Sequence, residues 1–455
     1  MAAMVFGGLL QQLLLLAGHP DLGIGVVIPL VVLVGWLWRP GWAVLGIIGI
    51  SLGVELLLPL QTGGGRYQDW LLHYQMTLHY AGQPTHVLAN ALQWRTPLYH
   101  QLNAGFLAHF PGYWTLQVGS VLVSSLWLWP ASLLIRERAP DSTGLRLLAV
   151  GLAPVVIAYS TYTWPWNLAG FFLLSALWLL GQSGLAARIG VGVSLGGALL
   201  AHPATSGYVL GLGLVWVYRH RAGILVGVVA LVLVVLSAVP WVISVTGGAG
   251  PQDLVNGSVP ALSATTPALW AISRLLIVAH TIFPEPVPTA DRFWPNLAIE
   301  FFVLSLPGAL VTALLAGRLQ RPPVTVLICI GAGALVALAL FPAGAYRAGL
   351  LNTLYPGVLI LLTISAGAMG SSGVRRMFVA SAILGSCLVG LLLWLAASPI
   401  AGDPNLDLRR LYGVTFFVQR WGALPGLAIL VAAVMVCART ATRDWRPREQ
   451  ATAAA

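Results

Sequence analysis

The sequence predicts an all-α, polytopic membrane protein with about thirteen transmembrane helices and a long first outer loop carrying juxtamembrane helices. Three observations lead there. Hydrophobic residues make up 58% of the 455 positions and charged residues only 8%, against roughly half and a quarter in soluble domains. The apolar runs are long and continuous, where the strands of a membrane barrel alternate over about ten residues. Helices, which satisfy their own backbone groups, are the other structure a bilayer permits. Polar residues are also gathered rather than spread, with five of the nine histidines between Gln61 and Gly112.

The elements follow in order. Met1 to Ala17 has an apolar core without a positive n-region or a convincing cleavage site, and reads as a retained interfacial helix or part of the first span. Stretches approaching about twenty apolar residues fall near 22–38, 42–60, 113–135, 146–161, 167–182, 189–203 and 206–218. Further ones lie near 222–245, 298–317, 323–341, 347–368, 377–397 and 421–438. Several in the middle are short enough to merge or tilt. Residues 1–438 therefore read as one transmembrane domain with outer loops 61–112, 246–297 and 398–420, followed by a tail at 439–455. In the second loop an amphipathic helix fits Trp270 to Phe283.

Orientation comes from arginine, which supplies all of the positive charge behind the net +10, since the chain has no lysine. With the first loop outside, fifteen arginines lie on the inner side and eight on the outer, the bias expected of a cytoplasmic face. The expected location is a bacterial plasma membrane, with many passes and a cytoplasmic C-terminus. Arginines scattered singly at span ends exclude nucleic acid as a partner, which wants a basic patch or stripe. Cys329, Cys387 and Cys437 all fall in apolar runs without metal or redox spacing, and read as small core residues.

Loop 61–112 holds Arg66, Asp69, His73, Arg95, Tyr99 and His100, in a chain with only thirteen acids. Tyr67 to Tyr80 fits a helix with Trp70, Leu71, Tyr74 and Leu78 on one apolar face, and Asp69, His73 and Tyr80 on another stripe. Pro97 to Phe110 fits a second helix, its proline placed for a first helical position. A carboxylate just outside a span, among arginine, histidine and tyrosine, suits a general base. The plain alternative is an interfacial acid paired with Arg66, three residues earlier.

The order of these motifs resembles GT-C fold glycosyltransferases that use lipid-phosphate sugars, the protein O-mannosyltransferase and aminoarabinose transferase type. "GGRYQDWLLHYQMTLHYAG", then "RTPLYHQLNAGFLAHF" and "YWTLQVGSVLVSSLWLWPASLLI", resemble that family's first outer loop: an acidic motif, a helix, and a Pro-x-Tyr entry at Pro97 to Tyr99. Ala153 to Leu180 is similar to a span ending in "YS" that turns outside and re-enters. Ala345 to Gly370 resembles a late span whose arginine meets the lipid phosphate.

The resemblance implies transfer of a sugar from a polyprenyl-phosphate donor to a glycan, lipid or protein acceptor on the outer face, with inversion at the sugar carbon. It implies Asp69 as base, and Arg347 with Tyr346, Arg66 and Arg95 around the donor phosphate, arginine's planar fork being matched to phosphate oxygens. His73, Tyr99 and His100, with Trp164 and Trp166 as sugar-stacking rings, are the candidate substrate contacts. A divalent metal, Mg²⁺ or Mn²⁺, accompanies such chemistry, and several oxygen ligands would hold it. The chain departs from the family at Gln68, where a second acid is usual, and at the uncharged turn Ser160 to Asn167, so no metal residue is assigned. Two other readings stay open: a transporter or flippase for a lipid-linked glycan, which predicts buried charge along a pathway, and a non-catalytic protein on the same fold.

Overall fold

The computed structural model describes residues 1–22, 41–57, 66–84, 97–110, 112–161, 164–219, 224–236, 239, 290–319, 323–340, 347–397 and 423–445. These form α1 (Ala2–Leu16), α2 (Trp42–Leu57), α3 (Arg66–Tyr80), α4 (Leu98–His109), α5 (Tyr113–Ser124) and α6 (Leu128–Arg138). Then come α7 (Thr143–Gly151), α8 (Pro154–Ser160), α9 (Trp166–Leu179), α10 (Leu185–Ala201), α11 (Ser206–Arg219) and α12 (Ile224–Leu236). The remainder are α13 (Ala290–Leu315), α14 (Val324–Leu340), α15 (Arg347–Ala368), α16 (Ser371–Ala397) and α17 (Ala423–Trp445). No strand occurs among the described residues. The span expected at 22–38, the helix expected at 270–283 and most of loops 246–297 and 398–420 lie outside them.

Among the described residues three helices are long and apolar enough to cross a membrane: Thr115–Arg138, in which a 3-10 turn joins α5 to α6, Ser371–Leu393 and Leu424–Trp445. Eight shorter apolar helices accompany them among the same residues. The expected span at 146–161 is not one helix. It breaks between Gly151 and Pro154 into α7 and α8, and the pair bends by 71°. Pro154 is the cause: it has no N–H to give the preceding turn and forces Ala153 into extended backbone (φ −60°, ψ 135°). At the C-terminal end, α17 runs seven residues into the expected tail, to Trp445, whose carbonyl accepts Arg375 Nη2 at 2.7 Å.

Several helix pairs approach closely through small residues, an arrangement favoured where lipid tails are as apolar as leucine. Gly46, Gly49 and Gly53 put one face of α2 against α17. A methyl on Gly49 would lie 2.7 Å from Ala433 Cβ, and one on Gly53 would lie 2.9 Å from the Leu430 backbone nitrogen. On α10, a methyl on Gly192 would overlap the carbonyl of Gly227 in α12. The fully buried rings of Phe171 and Phe172 centre α9, which packs on α6, α10 and α15.

One end of the bundle is closed by Arg146 of α7. Its guanidinium donates to the carbonyls of Ala366, Gly367 (3.4 Å) and Met369 (2.8 Å) at the end of α15. Those carbonyls have no helical donors of their own, and a cation there also meets the negative end of the helix dipole. The other end carries α3 and α4.

Candidate active site

The site begins with two helices between spans. α3 and α4 pack on each other, and α4 also packs on α1 and on α5. Their bounds match the sequence reading within a residue or two, but their burial does not follow a single apolar face. His73, Tyr74, Gln75, Met76, Thr77 and Tyr80 are all buried, because α3 is covered by neighbours on more than one side. Thr77 disposes of its hydroxyl locally, donating to the His73 carbonyl at 2.8 Å.

The stripe predicted to hold Asp69 and His73 is where α3 is clamped. His73 Nδ1 and His100 Nε2 lie 2.7 Å apart, one donating to the other, with the rings stacked at 5.0 Å and 14°. Tyr99 meets His73 edge-on at 5.9 Å and donates its hydroxyl to Ser120 Oγ of α5 at 2.8 Å. Burial, with the nearby Glu55 carboxyl adding to it and the Ser120 hydrogen bond opposing, holds the Tyr99 phenol protonated far above its ordinary range. The side chain is therefore a donor at any physiological pH.

Glu55, absent from the candidate residues read from sequence, lies near the end of the span expected at 42–60 and is buried on the last turn of α2 beside Tyr99. Its carbonyl accepts Gln117 Nε2 of α5 at 3.2 Å. The signal was present in composition, since a chain this poor in acids seldom spends one inside a span.

Asp69 is the fourth residue of α3, one turn before His73, and Arg66 is the first. An acid in the first turn of a helix sits at the positive end of its dipole. Arg347 is the first residue of α15. Arg95 and Tyr346 fall outside the described residues, as do the side chains of Arg66, Asp69 and Arg347.

A second cluster surrounds the turn from α8 to α9. Tyr159 and Tyr355 stack at 3.9 Å and 5°, the Tyr355 hydroxyl meets Asn167 Oδ1, and Asn167 Nδ2 donates to Ser160 Oγ at 3.2 Å and to the Tyr159 carbonyl at 3.3 Å. Tyr355 lies two turns beyond Arg347, so this network fixes the start of α15 relative to the "YS" turn. Trp164 and Trp166 are buried here. Trp166 stacks on His202 at 3.9 Å and 27°, and Trp164 lies tilted at 57° to Tyr159, 5.6 Å away. His202 also accepts the Ala204 N–H at 3.1 Å, capping the turn that follows it.

Among the described residues no three His, Cys, Asp or Glu side chains converge as a metal would require. No family model and no curated protein sequence matches the chain. Among solved structures it is similar to that of ArnT from Cupriavidus metallidurans bound to undecaprenyl phosphate, at 16% identity and a TM-score of 0.48. The apo structure of ArnT from the same organism gives 18% identity and a TM-score of 0.46, and each comparison covers 87% of this chain and 75% of the other.

Proposed function

We propose that the chain is a membrane glycosyltransferase, moving a sugar from a polyprenyl-phosphate donor to a hydroxyl acceptor on the outer face, with Asp69 as base. The observation that carries this reading is the clamp on α3. In a chain whose loop order resembles lipid-phosphate-sugar transferases, the helix bearing Asp69 is fixed one turn downstream by the buried His73–His100 pair. A general base needs that fixity, because proton transfer depends on tenths of an ångström.

Asp69 takes the proton of the acceptor hydroxyl as that oxygen attacks the sugar's anomeric carbon. The bond from that carbon to the phosphate oxygen breaks, and its electrons leave with polyprenyl phosphate. Arg347, with Arg66 and Arg95, neutralises the departing phosphate. His73, Tyr99 and His100, buried against one another, act as positioning residues for α3.

The test is turnover of a polyprenyl-phosphate sugar by the full chain in proteoliposomes. Asp69→Asn should lower kcat by about 10²–10⁴-fold, the range for a lost general base, with the fold intact by circular dichroism. Full transfer by a well-folded Asp69→Asn protein sinks the assignment. Flux of a lipid-linked glycan without any turnover selects the transporter instead.

A further inference from the structure

At the far end of α2 and α17 from Glu55 lies a cleft of about 330 Å³ lined by Trp42, Arg439, Thr440, Thr442 and Arg443. Nothing in the transfer reaction uses it. Its hydroxyls are already committed as donors, Thr440 to the Val436 carbonyl and Thr442 to the Arg439 carbonyl, both at 2.9 Å. The guanidiniums are what the cleft offers. Arg443 shares its charge with Asp444 at 3.1 Å, and the other Asp444 oxygen accepts the Leu145 N–H at 3.1 Å. Arg439 makes no ion pair or side-chain hydrogen bond with a described residue, so the cleft keeps a net positive charge.

The cleft also closes a ridge. Leu427, Val431, Met435, Arg439 and Arg443 follow one another at four-residue steps along α17, forming a ridge inclined to the helix axis that turns by about 40° per step across the exposed face. All face away from the bundle: Leu427 is 50% exposed, Val431 52% and Met435 65%, and Arg439 and Arg443 are exposed too. At 1.5 Å per residue, Leu427 to Arg439 rises ~18 Å, close to half of a hydrocarbon core ~30 Å thick. An acyl chain laid along the three apolar residues thus ends with its headgroup at the arginines. Trp42, 55% exposed beside them, supplies the indole that favours this depth.

We propose that this cleft binds the phosphate headgroup of one anionic phospholipid, with its acyl chain along Leu427, Val431 and Met435. Arginine suits the task because its fork stays charged and matches phosphate oxygens. Arginines that merely snorkel would hold no particular lipid.

The full chain, purified in detergent, should retain one phosphatidylglycerol by native mass spectrometry and be protected by it against thermal unfolding, and phosphatidylcholine should do neither. Arg439→Gln, at an exposed side chain, should weaken phosphatidylglycerol binding about fivefold, and Arg439→Gln with Arg443→Gln about 30-fold, from the loss of one or two cations near an anionic headgroup. Arg219→Gln, at an exposed arginine on α11, should change nothing. Unchanged binding by the double variant, or equal retention of the two lipids, overturns the proposal. Protection by glycerol 3-phosphate equal to that by lipid also overturns it, in favour of a soluble-anion site.

Discussion

The α2–α17 seam and the α3–α4 corner hold helices together in opposite ways. In the seam, glycines remove side chains so that backbones touch, and there is almost nothing to titrate or to leave unpaired. In the corner, His73, His100, Tyr99, Ser120 and Glu55 fill the space with polar groups that need one another. The first arrangement tolerates no added volume. The second tolerates no lost partner and responds to protons. In a chain with only 8% charged residues, shape holds the seam and polar pairing holds the corner.

Volume should give the largest effect. Gly192→Ala gains about 1 kcal/mol of helix propensity, yet its methyl would overlap the Gly227 carbonyl, a backbone atom with no rotamer to escape into. Ordinary overpacking costs about 1–3 kcal/mol, and a methyl overlapping a backbone oxygen lies beyond that range, so a net fall in stability of more than about 2 kcal/mol is expected. Gly213→Ala on α11, where the methyl meets nothing within 4 Å, should instead stabilise by roughly 0.5–1 kcal/mol. Similar melting points for the two variants would erase the contrast.

A lost partner in the corner should come next. Tyr99→Phe keeps the ring but deprives buried Ser120 of its hydrogen bond, a loss of about 1–3 kcal/mol. Chemical denaturation of the purified protein reads it, and an unchanged midpoint would mean that another group or water takes up the Ser120 hydroxyl.

The smallest effect is the pH response of α3. Burial holds the His79 ring below its ordinary 6.5, so the folded chain prefers it neutral while the unfolded chain takes up a proton as pH falls through about 6.5. The contribution is whole above that pH and is lost progressively as the pH drops toward the folded value. Melting should therefore come earlier at about pH 5.5 than at about pH 7.5, and His79→Gln should narrow the gap. An equal gap in the variant would place the sensitivity elsewhere.

Much of this was legible in the sequence because helix periodicity and span length are local. The bounds expected for α3 and α4 fall within a residue or two of those observed, and α15 begins and ends where its apolar run does. What local pattern cannot carry is pairing. Nothing in the spacing of His73 and His100, twenty-seven positions apart, says that their rings meet, and Tyr99 with Ser120 or Tyr159 with Tyr355 are no more visible. Glu55 reads as a span-end charge because its neighbour Tyr99 lies in another helix. The break before Pro154 was readable, since proline restrains the residue ahead of it, but hydropathy across 146–161 outweighed it.

The glycine seam also sets an order of assembly. It joins α2 to α17, with every other described helix from α3 to α16 between them in sequence, so the ribosome must deliver all of those before the two can meet. Until then the bare glycine face of α2 is open to lipid or to the wrong helix. Maturation of this protein in its membrane should accordingly be a late, single closing event, and cells that slow delivery of the C-terminal helix should accumulate a protease-sensitive form with its early helices already inserted.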